Sequence, residues 1–223
     1  MIGKLILGVV AIVCVSSYKY IFGAYSIRFF WIVVKYLYLK KLEDLDDKGQ
    51  AKSPFVELVR TTKCCLLECD FFGYHKNNVT YFTELDLCRT ECTLNALHRY
   101  FKLAVLKKES LAYVPLASIC NHFMKETKPF ENYEMRTKVV GWGDKWLWLI
   151  TVFTGDKVGK RIYCLSLAKL VFKAGRKTLQ PWDVVQLAGS TDPDVCKKAY
   201  RNEERVAQNT NNVMQLLKVY EEA

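Results

Sequence analysis

The stretch Glu68-Cys-Asp-Phe-Phe-Gly-Tyr-His-Lys-Asn-Asn-Val-Thr-Tyr-Phe82 is where the chain gathers chemical character. A carboxylate (Asp70), a glycine (Gly73), an imidazole (His75) and two carboxamides (Asn77, Asn78) fall within nine residues. Directly behind them the apolar spacing turns helical. A polar loop that opens a helix presents backbone N–H groups and the positive end of the helix dipole to an anion or a polarised carbonyl. Ahead of the loop, Val59–Leu67 is apolar and β-branched and reads as a strand entering it. Behind it, Asn78 or Thr80 suits an N-cap, and Val79–Tyr100 reads as one helix, uninterrupted by Gly or Pro. Its inward stripe takes Tyr81, Leu85, Cys88 and Cys92, then Leu94 or Ala96 and His98 or Tyr100. At ~1.5 Å per residue such a helix is about 33 Å long, enough to cross a small sheet.

Beyond Ser110 the period falls to two or to continuous apolar runs. Leu111–Lys125, Phe130–Trp142, Lys145–Thr154 and Lys160–Phe172 read as strands, joined by a Lys128-Pro129 break, Gly141–Asp144 and Thr154–Lys157. The expectation is an antiparallel meander with the long helix laid across it. Gln180–Gly189 reads as a short capped helix, and Asp192-Pro-Asp194 opens a last polar helix over Val195–Tyr220.

With 223 residues and 51% apolar content, the chain is large enough for one core and an appendage. Its net charge of +10 is unevenly placed: Lys4, Lys19, Arg28, Lys35, Lys40 and Lys41 precede any acidic residue. That pattern suits an anionic membrane surface rather than nucleic acid. Leu5–Tyr18 is uncharged and apolar, and with Lys19 snorkelling, residues 2–24 would reach across a bilayer. A retained membrane anchor is the favoured reading. A signal peptide cleaved near Cys14-Val-Ser16 and a buried helical arm are the alternatives. Trp31, Tyr36 and Tyr38 among lysines suit a helix at headgroup level. The acidic run from Glu43 to Gln50 marks a boundary. Nine cysteines without a paired His/Cys spacing read as free thiols in a reducing compartment, with no metal site.

The Asp…His-x-Asn-Asn-x-x-Tyr loop between a strand and a long helix resembles the hotdog-fold thioesterases. Asp70, His75, Asn77, Asn78 and Tyr81 carry the likeness, and Phe82-Thr-Glu-Leu-Asp86 with Arg89 continues the family's helix. Phe130–Trp142 looks like its third strand and Gln180-Pro-Trp182 like its C-terminal turn. Together with the hydrophobic amino terminus, the pattern is most similar to the thioesterase superfamily member 6 branch and its fungal relatives. There is one departure: His75 lies five positions after Asp70, one more than in the family pattern.

The resemblance implies an α+β chain with a single hotdog domain, a long central helix wrapped by an antiparallel sheet. The expected organisation is an N-terminal hydrophobic helical anchor over 1–41, a linker over 42–54, the hotdog domain over 55–190 and a C-terminal helical extension over 191–223. It further implies fatty acyl-CoA as substrate, a homodimer or dimer of dimers with the acyl tunnel between subunits, and no cofactor. The expected location is the endoplasmic reticulum membrane with the domain facing the cytosol, or alternatively a mitochondrial membrane.

Within the resemblance, Asp70 is the nucleophile or general base, His75 orients the carbonyl or a water, and Asn78 donates to the oxyanion. Asn77, Val79 and Tyr81 line the substrate, the first two adding backbone donors at the helix start. Lys138, Lys157, Lys160 and Arg161 are candidates for the CoA phosphates. Each has a plainer reading: Asn78 as a cap, His75 as a loop hydrogen-bonder, Asp70 as a turn former. Glu84 and Asp86 read as solvated helix face, and His98 and His122 as structural. Two other functions stay open, an inactive hotdog that binds acyl chains or a membrane partner, and a dimer scaffold for protein interaction.

Overall fold

The computed structural model describes the chain except residues 1–2, 5, 9–10, 12–16, 48, 71–72 and 156–160. The site Cys14-Val-Ser16, most of the run Leu5–Tyr18, and Lys157 and Lys160 therefore lie outside the described residues. Five strands, β1 (Leu58–Lys63), β2 (Leu116–Phe123), β3 (Asn132–Trp142), β4 (Leu147–Thr154) and β5 (Ile162–Leu170), form one antiparallel sheet. The meander β3-β4-β5 is its centre, with β1 and β2 at the two edges in the order β1-β3-β4-β5-β2. A two-stranded hairpin, β6 (Phe172–Ala174) and β7 (Lys177–Leu179), follows and was not anticipated from sequence.

The first long helix, α2 (Asn78–Ala96), joins β1 to β2 and so must cross the sheet. Tyr81, Leu85 and Cys88 are buried, packed with Tyr133, Met135, Phe153, Tyr163 and Cys164, and Cys92 is buried in the adjoining core with Val139 and Leu149, as their spacing predicts. The opposite side of α2 is covered too. Helix α1 (Ala24–Val34), continued by one π-helical turn over Lys35–Leu39, packs along it. The second half of the expected membrane anchor is thus folded onto the domain. Among the described residues no helix is long and apolar enough to cross a membrane, so the expected spanning segment is not supported.

Covering α2 on both sides overturns the reading of its charged face. Glu84 is fully buried, not solvated: the Arg28 guanidinium donates two 2.8 Å hydrogen bonds to its two oxygens. Lys19 Nζ lies 3.7 Å from the same carboxylate and 2.8 Å from that of Glu68, itself fully buried and paired with Lys76. Two turns further, Glu91 is buried and accepts from Lys35, Tyr36 and Arg60. Asp86, by contrast, keeps partial exposure.

The expected helix Val79–Tyr100 is two helices. Leu97, at φ −115° and ψ 29°, separates α2 from α3 (His98–Leu106) although neither Gly nor Pro is present. Tertiary contacts explain the break. The Lys102 ammonium donates 3.0 Å hydrogen bonds to the carbonyls of Leu37 and Tyr38, and His98 Nε2 lies 3.1 Å from the Tyr36 carbonyl. The turn at Leu97 lets α3 cap the end of the N-terminal helical arm, where orphan carbonyls favour a cation.

A short helix, α4 (Pro181–Leu187), places Trp182 beside Trp142. The expected single C-terminal helix is also two, α5 (Pro193–Gln208) and α6 (Val213–Glu222). They cover the outer face of the sheet, where Val206, Leu216 and Val219 meet Val140, Ile150 and Leu165. This second cover is why all eight residues of β4 are buried. The approach needs Gly141: a Cβ there would sit 2.6 Å from the Ala199 carbonyl oxygen.

Burial alone would raise the Glu84 carboxyl, but the Arg28 hydrogen bonds and the Lys19 charge hold it below the usual carboxylate range. Its contribution to stability is complete above the unfolded value, about 4.3, and disappears as pH falls through the lower folded one. Glu84→Gln is expected to cost about 3–5 kcal/mol at neutral pH, because Arg28 and Lys19 lose a buried partner. Urea unfolding across pH should show this cost shrinking in acid, below about pH 4.3.

Candidate functional site

In the loop between β1 and α2, the described residues before and after 71–72 are hydrogen-bonded to one another. Cys69 and Lys76 form an isolated antiparallel bridge, the Asp70 N–H donates to the His75 carbonyl (3.0 Å), and the Gly73 N–H donates to the Asp70 carbonyl (2.8 Å). Gly73 has φ +69°, where a side chain would be strained. Beneath the loop the Glu68 carboxylate meets the ammonium groups of Lys19 and Lys76, and the Tyr133 hydroxyl lies 3.4 Å away. Burial pulls the Lys76 ammonium below its usual range, an effect Glu68 opposes.

The same Glu68 sets the start of α2 through its backbone. Its carbonyl accepts from the Asn77 N–H (2.8 Å) and the Thr80 hydroxyl (3.1 Å). The N-cap is Asn77, one residue before the earlier of the two expected caps, and its side-chain oxygen accepts from the Val79 N–H at 2.9 Å. Of the three backbone donors expected there, Asn77 and Val79 are therefore engaged inside the protein. The Asn78 N–H, at the first helical position, has no partner among the described residues.

Beside this helix start lies a cavity of about 190 Å³ lined by His75, Lys76, Asn78, Tyr81, Phe123, Met124, Lys125 and Glu126. The structure thus brings His75, Asn78 and Tyr81 together at one opening. Tyr81 is buried, its hydroxyl 3.0 Å from Thr127 Oγ1 and its ring edge-on to Phe123. Val79 is exposed and Asn77 serves as cap; neither lines the cavity.

Asp70 does not line it either. One carboxylate oxygen accepts from the Tyr74 N–H at 3.0 Å, closing the loop, and the other lies 3.8 Å from His75 Nε2. The carboxylate therefore lies between the Tyr74 N–H and the imidazole. His75 Nδ1 in turn lies 3.3 Å from the Lys76 carbonyl oxygen. The row is Asp70, His75, cavity, with the free Asn78 N–H on the helix side. Such a row can orient an imidazole and polarise a carbonyl. Among the described residues no His/Cys/Asp/Glu group is arranged to hold a metal.

Glu68 and Lys76 are the site residues that sequence reasoning missed. Nothing in their spacing shows that both are buried, since their third partner, Lys19, comes from a distant segment. His98 Nε2 lies 3.1 Å from the Tyr36 carbonyl and His122 Nε2 3.0 Å from the Thr210 carbonyl, and neither lines the cavity. The eight described cysteines are free. Replacing Asn77 by Ala should destabilise the protein by about 1 kcal/mol, and replacing it by Asp or Ser should cost little, measured by urea unfolding.

Comparison with known proteins places the chain in a family. The probable thioesterase YBR096W of Saccharomyces cerevisiae is 34% identical over 188 residues, covering 82% of this chain and 79% of that protein. Thioesterase poxG of Penicillium oxalicum is 28% identical over 169 residues, covering 60% of this chain and 54% of that protein. Among solved structures, the probable thioesterase YbaW of Escherichia coli superposes with a TM-score of 0.48 at 14% identity, covering 63% of this chain and 98% of that one. No family model matches the chain. Given the identity to the yeast protein along most of both chains, this chain belongs to the hotdog-fold thioesterase-like superfamily.

Proposed function

We propose that the chain is an acyl-CoA thioesterase whose thioester carbonyl is received at the start of α2. The unpartnered Asn78 N–H beside His75, at the mouth of a cavity, carries this reading. The N–H lies at the positive end of a 19-residue helix and is directed at no internal acceptor among the described residues. It supplies the oxyanion donor, and His75 at the cavity opening positions the attacking water, with Asp70 behind the imidazole. Lys125 at the cavity rim is a candidate for a CoA phosphate. The outer edge of β2, which pairs with no further strand among the described residues, is the surface for pairing with a second copy. Antiparallel pairing there would set the cavity at Phe123 beside the Leu116 end of the partner strand.

The side chains that give this chemistry can be separated from those that give structure. Proline is favoured at the first helical position, and Asn77, at φ −67° and ψ 136°, already has the backbone a following proline requires. Asn78→Pro therefore removes the N–H donor and spares the helix. It is expected to lower kcat for acyl-CoA hydrolysis by about 100-fold relative to Asn78→Ala, with unchanged Tm. His75→Ala should lose a similar factor. Equal rates for all of these and wild type, followed by free-thiol release, would remove the hydrolase reading. The engagement of Asp70 with the Tyr74 N–H favours one alternative, a hotdog that binds acyl thioesters without turnover. In that case analogues bind and no thiol is released.

The arm α1 is also proposed to lie on a membrane surface. Ile27, Phe30 and Trp31 are exposed on its outer side, Phe22 is exposed just before it, and Lys35 is half-exposed at its end. An apolar, aromatic face edged by cations suits the headgroup region. The full chain should co-sediment with phosphatidylserine vesicles more than with phosphatidylcholine vesicles, and Phe30→Ser with Trp31→Ser should release it into the supernatant.

A further inference from the structure

A second cavity, about 330 Å³, lies along the carboxyl-terminal half of α2 and shares no lining residue with the first. Its walls come from α1 (Phe29, Val33), α3 (Phe101) and the segment before β2 (Val114), with Asp86, Arg89 and Thr93 from α2. The cavity exists because the N-terminal arm is docked, since α1 forms one wall.

Arg89 gives the cavity its chemical character. Its side chain is only 5% exposed. Nη2 has a single long contact, 3.2 Å to Asp86 Oδ1, while Nη1 is buried without a hydrogen-bond partner among the described residues. Asp86 offers little more, because its other oxygen accepts from the Tyr25 hydroxyl. Thr93 Oγ1, one turn along the same wall, is likewise buried and unpartnered. Burial pulls the guanidinium below its usual range, and Asp86 only partly offsets this. A buried cationic donor with an open valence is costly to leave unmatched, and a carboxylate fits its planar fork. The surrounding walls are aliphatic and aromatic, and the volume is at the small end of the range for ligand sites, roughly 300–1,000 Å³.

We propose that this cavity binds a free fatty acid, with its chain among the apolar walls and its carboxylate on Arg89 and Thr93. This site is separate from the helix-start site and does not require that the chain hydrolyse thioesters. A small carboxylate would leave the apolar walls unfilled, and a neutral lipid would leave Arg89 Nη1 without an anionic acceptor.

Isothermal titration of the full chain with decanoate and with decanol, equal in chain length, tests the headgroup. Decanoate is expected to bind about tenfold or more tightly than decanol. Arg89→Leu should abolish that preference, and Arg89→Lys, which keeps charge without the fork, should retain part of it. Val114→Trp, which leaves Arg89 in place and fills the cavity, should abolish decanoate binding if Arg89→Leu does not fold. Asn78→Pro should bind decanoate as wild type does. Equal affinity for acid and alcohol, a preference that survives Arg89→Leu, undiminished binding by Val114→Trp, or binding lost in Asn78→Pro would each overturn the assignment.

Discussion

Two buried carboxylates, Glu68 and Glu84, and the cations that meet them are the constraint on which the rest of this structure depends. Lys19 reaches both, Lys76 pairs with Glu68, and Arg28 clamps Glu84 through both oxygens. Such a group of ions gains little net stability over well-packed apolar side chains, because desolvation cancels much of the Coulomb attraction. What it supplies is registry. Each ion left unpaired in a low-dielectric interior would be expensive, so the arm from Lys19 to Leu39 has one acceptable position on α2.

Registry then passes to the site. Glu68 closes a short turn after β1, and its carboxylate fixes Lys76 from below. Its carbonyl holds the Asn77 N–H and the Thr80 hydroxyl, so the first turn of α2 begins at a defined place. His75 and Asn78 flank these anchored residues on either side and stay partly or fully exposed. The chemistry-bearing groups are thus carried by neighbours that cannot move without exposing a buried ion. The arrangement resembles a metal-site second shell in its logic, with salt bridges orienting the groups that face the ligand.

Features with a local cause were legible in the sequence. The stripe Tyr81, Leu85, Cys88, Cys92 follows a 3.6-residue period and meets the sheet as expected, and the strands β3, β4 and β5 show their own period and turn residues. What escaped sequence reading depends on partners far along the chain. Glu84 looks like solvated helix face until a second helix, 56 residues earlier, covers it. The stop at Leu97 has no glycine or proline to announce it, and arises from carbonyls at Leu37 and Tyr38 that Lys102 must reach. Asp70 was read from a motif, but its carboxylate accepts from the Tyr74 N–H, a matter of backbone geometry that composition does not reveal.

The central claim is that a thioester carbonyl is held by the amino end of α2. A crystal structure of the full chain with a non-hydrolysable acyl-CoA analogue, in which a methylene is inserted between carbonyl and sulfur, tests it directly. The account predicts the carbonyl oxygen within about 3.1 Å of the Asn78 N–H, with His75 against the reacting carbon. An analogue seated elsewhere, or a carbonyl turned away from Asn78 toward solvent, would contradict it.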